Sequence, residues 1–222
     1  NYDAASKVAK AVAEKLGGKG KVIILEGIAG AQSAIDLKQG AVDTFGTYEG
    51  IEIVASQTAN WNRAEAMQVT QNLLQAHPDV DAIFASNDEM AMGAVEAVDQ
   101  AGLTGKIIIA GLDANRDALE AIKEGKMTIT CDKMGFDQGY VGVETAVKVL
   151  NNEPVNDRIV IDTMIVDESN VDEFLSQYPT QNGVTIIPHS INWENNPLDL
   201  TELPFKGRQV IVRGDFIISH GH

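Results

Sequence analysis

The amino-acid sequence predicts an α/β fold in which helices cover both faces of a parallel β-sheet. Short apolar runs rich in β-branched residues alternate with segments that have helical spacing. These runs are apolar on both faces, which is typical of strands buried between two layers of helices. Strands that alternate with helices form βαβ units, whose strands lie parallel, so we expect a three-layer αβα domain.

The elements follow one another regularly along the chain. The predicted strands are KVIILEG (21–27), IEIVAS (51–56), AIFASN (82–87), IIIAGLD (107–113) and MTITCD (127–132). The predicted helices are SKVAKAVAEKL, SAIDLKQGAVDTF, AEAMQVTQNLLQAH, DEMAMGAVEAVDQ and RDALEAIKEG. Several of these helical segments end at glycine, which is a common helix stop signal.

Composition narrows the possible functions. A net charge of -15 argues against a nucleic-acid partner, because phosphate binding needs a concentrated basic face. The single cysteine, Cys131, excludes an internal disulfide framework and a CxxC metal site. No apolar run approaches the roughly 18 residues of a membrane-spanning helix. The opening NYDAASKV lacks signal-peptide features, so if the protein is exported we expect its leader to lie outside this sequence.

Polar residues stand where several predicted strands end. Asn87, Asp113 and Lys133 follow or close three of these strands. The carboxyl ends of parallel strands share one edge, where ligands of open α/β sheets bind. An amide, a carboxylate and an ammonium group together donate and accept hydrogen bonds, as a neutral sugar requires. In the loop TANWNRAEA, Trp61 offers a flat apolar face on which a sugar ring could stack.

Each of these residues also has a purely structural interpretation. Asn87 could be the N-cap of the next helix, in which Asp88 and Glu89 complement the helix dipole. Asp113 could cap the helix in ANRDALEA, and Trp61 could pack at the rim of the sheet. The residue types alone leave both interpretations open.

Longer stretches carry a family resemblance. LLQAHPDVDAIFASNDEMAMGAVEAVDQAG, IIIAGLDANRDALEAIKEGKMTIT and GYVGVETAVKVLNNEPV resemble the periplasmic sugar-binding proteins of bacterial ABC importers, in particular the ribose-binding type. The upstream stretches GIAGAQSA and ASQTANWNRAEAM fit the same pattern, so the resemblance covers about residues 1–175. The resemblance implies two lobes that close over a sugar, and a sugar-bound form that a transporter permease or a chemoreceptor recognises. It also implies a periplasmic or extracytoplasmic location, with the protein secreted or lipid-anchored. It implies no cofactor.

The resemblance also assigns residues. Asn87 matches the family's sugar-binding Asn, Asp113 matches the Asp after the next strand, and Trp61 stands where the family stacks an aromatic ring. Two positions depart from the ribose-binding pattern: Ile35 replaces an Arg, and Lys133 replaces a Gln at the second hinge crossing. An Arg fork holds two hydroxyls and Ile cannot, so another pentose, a hexose or a polyol is an alternative to ribose.

The resemblance predicts how the chain is divided. Residues 1–131 would form the second lobe, residues 132–175 the hinge crossing with first-lobe helix and strand elements, and residues 176–222 an unassigned tail. We expect a first lobe to precede residue 1, or to come from another chain or from self-association. Without that lobe an apolar face would lack its usual cover; its residues include Val141, Val143, Val147 and Leu150.

The tail carries two β-like runs, VTIIPHSI and RQVIVRGDFIIS, which could pair with each other or with an exposed sheet edge. Its histidines, His189 and the HGH at 220–222, are not expected to bind a metal.

Other function classes compete with transport. An enzyme would need a nucleophile with a base, and Cys131 has no evident His partner. A glycosidase pair of Asp113 and Asp132 has no further support, so no enzyme is predicted. The alternative is the effector or sensor domain of a sugar-responsive repressor or receptor, which shares the fold. The segment NDEMAMGA and the negative net charge favour the transport protein over the repressor or receptor domain.

Overall fold

A computed structural model describes residues 1–177 and four short strand segments, 180–181, 184–185, 211–212 and 216–217. The chain forms two compact units, residues 1–187 and residues 188–222. The first unit contains the predicted alternation of strands and helices.

The strands of the first unit are β1 (Lys19–Glu26), β2 (Gly50–Thr58), β3 (Ala82–Ala85), β4 (Ile108–Ala110), β5 (Thr130–Asp132), β6 (Met164–Val166), β7 (Thr180–Gln181) and β8 (Val184–Thr185). Its helices are α1 (Tyr2–Lys15), α2 (Gln32–Phe45), α3 (Arg63–Ala76), α4 (Asp88–Gln100), α5 (Arg116–Lys123), α6 (Gly135–Leu150) and α7 (Val171–Gln177). Every strand predicted before residue 133 overlaps an observed strand.

The central sheet has the strand order β2-β1-β3-β4, and all its strands are parallel. Every residue of β3 is buried, as expected for a strand with neighbours on both sides and helices on both faces. β5 runs beside β4 through the Ala110–Ile129 bridge and pairs antiparallel with β6. The predicted parallel sheet is therefore confirmed.

Two apolar layers lie on the two faces of this sheet. Val22 and Ile24 of β1 pack with α1 and α2 on one face. Ile23 and Leu25 of the same strand pack with α3, α4 and α5 on the other face. Successive side chains of a strand point to opposite faces, so a strand that is apolar throughout holds both layers. This arrangement confirms the three-layer αβα fold.

Helix α6 differs from the other long helices because none of its residues is buried. Val143 is 42% exposed and Leu150 is 70% exposed, whereas Val141 and Val147 are half-buried. The expected uncovered apolar face is present. The chain then returns to the sheet, where Val166 of β6 and Phe174 of α7 are buried in the layer that contains α5.

The described segments of the tail form local antiparallel pairs. β7 pairs with β8 in the first unit. In the second unit, β9 (Ile211–Val212) pairs with β10 (Phe216–Ile217). The expected pairing of the two β-like runs with each other or with a sheet edge stays a prediction. His189 and the histidines at 220 and 222 lie outside the described residues. Among the described helices, none is long and apolar enough to cross a membrane.

Candidate functional site

The carboxyl-terminal edge of the parallel sheet carries the residues predicted to bind a ligand. Asn87 follows β3, Asp113 follows β4, and Lys133 follows β5. Asp113 and Lys133 form an ion pair. Asn87 is linked to the turn that contains Asp113 through its neighbour Asp88, which accepts a hydrogen bond from the Asn115 N–H. Trp61 lies after β2 and packs at the end of β1, while Ile35 lies in the first turn of α2.

Asn87 is the N-cap of α4. Its backbone is extended, and its side-chain Oδ1 accepts a hydrogen bond from the Met90 N–H at 3.0 Å. The capping interpretation is therefore confirmed. The Nδ2 amide of Asn87 donates no hydrogen bond to the described residues, and the side chain is half-buried. One side chain can thus cap the helix and still donate to a ligand.

Asp113 and Lys133 form an ion pair, with Lys133 Nζ 2.5 Å from Asp113 Oδ1. Burial raises the pKa of the Asp113 carboxyl, and the nearby Lys133 ammonium opposes that rise. The interpretation of Asp113 as the cap of α5 is wrong, because Asn115 occupies the N-cap position. The backbone explains the difference: φ is +124° at Asp113 and +55° at Ala114, so the chain turns between the carboxylate and the helix.

The Trp61 side chain packs against the backbone of Gly27. Its φ of +60° places it in a left-handed turn after β2. The indole lies on Gly27, where an added Cβ would come within 2.0 Å of the ring. The ring also touches both apolar layers of the sheet and is partly buried. Rim packing is confirmed, and the part of the ring that stays exposed is what remains for a ligand.

Ile35 is not packed into the core. It is 50% exposed, and Ile28 in the preceding loop is 48% exposed. Two large aliphatic side chains therefore reach solvent near the start of α2. Both side chains offer apolar contact and no side-chain hydrogen-bond donor.

Asp88 is a residue whose part in this site the sequence did not reveal. It is fully buried, and its Oδ1 accepts from the Thr130 hydroxyl at 2.7 Å while its Oδ2 accepts from the Asn115 N–H at 2.8 Å. Burial raises its pKa to about 7. The sequence carried no signal for these partners; in the structure Gly111 leaves room for the carboxylate, because an added Cβ there would lie 2.3 Å from Asp88 Oδ1.

Arg63 is a second residue that sequence reasoning missed. As the first residue of α3, it donates to both carboxylate oxygens of Glu89 at 3.1 Å and to Asp117 at 2.7 Å. The hydrogen bond from Arg63 lowers the pKa of Asp117. This triad ties together the first turns of α3, α4 and α5. A signal for this triad was available in the sequence. Two helices that begin at this sheet edge have acidic residues in their first turns, and a third has a basic residue there.

Within residues 1–177 and the short strand segments, no group of His, Cys, Asp and Glu could hold a metal ion. Cys131 is buried, and burial raises the pKa of its thiol to about 11. That thiol is therefore protonated near neutral pH and is a poor nucleophile.

The chain is similar to known proteins in sequence and in fold. The family model described as "Periplasmic binding protein domain" matches residues 1–154. The ribose import binding protein RbsB of Haemophilus influenzae is 41% identical over 157 residues, which are 71% of this chain and 53% of that protein.

Two solved structures of ABC-transporter solute-binding proteins are similar to this chain. One, from Actinobacillus succinogenes with bound D-allose, is 41% identical with a TM-score of 0.75. The match covers 78% of this chain and 61% of the chain in that structure. The other, from Bacillus halodurans with bound myo-inositol, is 34% identical with a TM-score of 0.74. The match covers 80% of this chain and 61% of the chain in that structure.

The chain spans about half the length of the curated relatives it matches. The family match nevertheless covers most of the sequence and includes the strand ends after β1 to β5. The predicted resemblance is confirmed: this chain belongs to the periplasmic binding protein family.

Proposed function

We propose that this chain recognises a small neutral sugar or polyol at the carboxyl-terminal edge of its parallel sheet, as part of a solute-binding protein for ABC-type import. The observation that carries the proposal is the Nδ2 amide of Asn87, which has no hydrogen-bond partner in the described part of the chain and lies at the same edge as the Asp113–Lys133 ion pair. The charges of the pair balance, so this edge favours a neutral ligand. Its remaining donors and acceptors suit hydroxyl groups.

Trp61 and Ile35 shape the same site in this proposal. The exposed part of the Trp61 ring contacts the C–H face of the ligand, on a ring that Gly27 and the two apolar layers hold in place. Ile35 supplies apolar contact and no fork of donors, so a ligand with fewer hydroxyls directed to this position is favoured over ribose.

The proposal includes a second wall for the site. Residues 1–131 form one lobe, and the stretch 132–175 contains the hinge crossing and elements that belong on the other lobe. The apolar residues that α6 leaves uncovered support this division. The other lobe comes from a longer form of the protein, from another chain or from self-association. The complete protein works outside the cytoplasm and delivers its sugar to a transporter permease or a chemoreceptor.

Isothermal titration of the chain with pentoses, hexoses and polyols tests the proposal, with Asn87→Ser as the critical variant. Serine keeps a capping oxygen at the start of α4 but removes the amide donor. We expect the variant to bind the best sugar about 1 to 3 kcal/mol more weakly, with an unchanged melting temperature.

Asn62→Ser is the matched control, because Asn62 caps α3 through the Glu65 N–H in the same manner. It should bind like the unaltered chain. Equal affinity in Asn87→Ser would remove Asn87 from the site, and flat traces for the unaltered chain across the panel would contradict sugar binding by this chain alone.

A further inference from the structure

The turn between β4 and α5 has an unfavourable backbone conformation. Asp113 and Ala114 both have positive φ, +124° and +55°, although neither is glycine. Residues with a Cβ adopt such angles at an energetic cost, so surrounding contacts must hold them there. The turn carries the Asp113 carboxylate, which makes its geometry important for the site.

Successive N–H groups of this turn each have a partner. The Asp113 N–H donates to the Cys131 carbonyl at 2.9 Å. The Ala114 N–H donates to the Thr130 hydroxyl oxygen at 3.2 Å, and the Asn115 N–H donates to Asp88 Oδ2 at 2.8 Å. Two of these three acceptors are side-chain oxygens, so the turn depends on residue identity as well as on backbone pairing.

The two side-chain acceptors are bonded to each other. The Thr130 hydroxyl donates to Asp88 Oδ1 at 2.7 Å, and both residues are fully buried. The bonds therefore form a closed ring from Ala114 through Thr130 and Asp88 to Asn115. Hydrogen bonds shielded from water in this way are strong, and a missing partner leaves a buried polar group unsatisfied.

Asp88 also fixes the neighbouring strand end. Its N–H donates to the Leu112 carbonyl at 2.7 Å, and it is the first residue of α4, directly after Asn87. Gly111 leaves the space that its carboxylate fills. Asp88 thus joins the strand end that carries Asn87 to the turn that carries Asp113.

We propose that Asp88 and Thr130 are positioning residues for the ligand site, which hold the 113–115 turn so that the Asp113 carboxylate faces Lys133 while Asn87 stays in register beside it. Neither residue contacts the ligand. The proposal rests on the function proposed above, since it concerns the same site, but the geometry it describes exists without a ligand.

Thr130→Val tests the proposal because it keeps the side-chain shape and removes the hydroxyl. The carboxyl-carbon NMR signal of Asp113, followed against pH, reports the surroundings of that carboxylate in the folded protein. In Thr130→Val we expect its pKa to move down toward the ordinary Asp value, because the exposure of a loosened turn outweighs the loss of the nearby Lys133 ammonium. The best sugar should bind about tenfold more weakly.

Two further variants make the result specific. Thr130→Ser restores the hydroxyl and should restore both readouts. Thr70→Val removes a buried hydroxyl that has no partner among the described residues, so it should leave the Asp113 titration unchanged. An Asp113 titration in Thr130→Val equal to that of the unaltered chain would overturn the proposal, whatever the effect on melting temperature. If the unaltered chain binds no sugar, the proposed function fails, and the titration still decides the positioning role.

Discussion

Helices α4 and α6 both carry apolar side chains at helical spacing, but only α4 buries them. In α4 the buried residues include Met90, Ala94 and Val98, which pack in the layer shared with α3 and α5. In α6 no residue is buried, although the helix contains Phe136 and several valines. The two helices differ in what lies next to them.

The difference shows that apolar content does not by itself determine burial. A buried apolar side chain contributes roughly 25 cal/mol per Å² removed from water, and that contribution requires a neighbouring surface. Helix α6 keeps its form through local interactions such as the Lys148–Glu144 pair at 2.8 Å. Such exposed pairs contribute little, so we expect α6 to add much less to stability than α4 or α5.

The largest expected contrast is between two leucines. Leu119 of α5 is fully buried, whereas Leu150 of α6 is 70% exposed. Leu119→Ala should lower the free energy of unfolding by about 2 to 5 kcal/mol, because it leaves a cavity in the core. Leu150→Ala should change it by less than about 0.5 kcal/mol. Urea denaturation of both variants measures the difference, and similar losses would show that α6 is covered in solution.

Two helical glycines give the next contrast. An added Cβ at Gly93 of α4 would lie 2.2 Å from the Arg63 carbonyl oxygen, whereas a Cβ at Gly142 of α6 would have nothing within 4 Å. Gly93→Ala should therefore destabilise the protein by about 1 to 3 kcal/mol.

Gly142→Ala should stabilise α6 by up to about 1 kcal/mol, since alanine is the better helix former. Thermal unfolding followed by circular dichroism measures both changes. A destabilising Gly142→Ala would indicate that a neighbour packs closely on that face of α6.

The buried carboxylate of α4 gives a contrast that depends on pH. Burial raises the pKa of Asp88 from 3.8 to about 7, so between these values the folded protein holds a proton that the unfolded chain has lost. Stability should therefore fall as pH rises through this window, by at most about 1.4 kcal/mol per pH unit from this group.

Asp88→Asn removes that contribution, because an amide does not titrate. Unfolding free energies measured from about pH 4 to about pH 7 should fall less steeply in the variant. Parallel curves for the two proteins would show that Asp88 stays ionised throughout this range.

The sequence predicted the fold well because its signals are local. Apolar runs such as AIFA and the helical spacing after them specify strand and helix without reference to distant residues. The helix cap at Asn87 was equally predictable, since a cap involves only residues three positions apart. The uncovered residues of α6 followed from the family resemblance.

The site was only partly predictable, because its contacts join residues far apart in the chain. The interpretation of Asp113 as a cap failed since the turn after β4 has positive φ at two residues without glycine. The bond from Thr130 to Asp88 spans 42 positions, and the bonds from Arg63 to Glu89 span 26. The charges in the first turns of the helices were a signal for the bonds of Arg63, but the residues beside Thr130 in the chain gave none for its bond to Asp88.

The sequence by itself therefore determined the order of strands and helices, the three-layer class and the family, all of which depend on short-range periodicity and recognisable segments. Tertiary structure alone decided that Asp113 pairs with Lys133, that Trp61 rests on Gly27 and that Asp88 is buried beneath the strand ends. The physical reason is that hydrogen bonds, ion pairs and packing depend on distances across the sheet edge, which are set only when the parallel strands align.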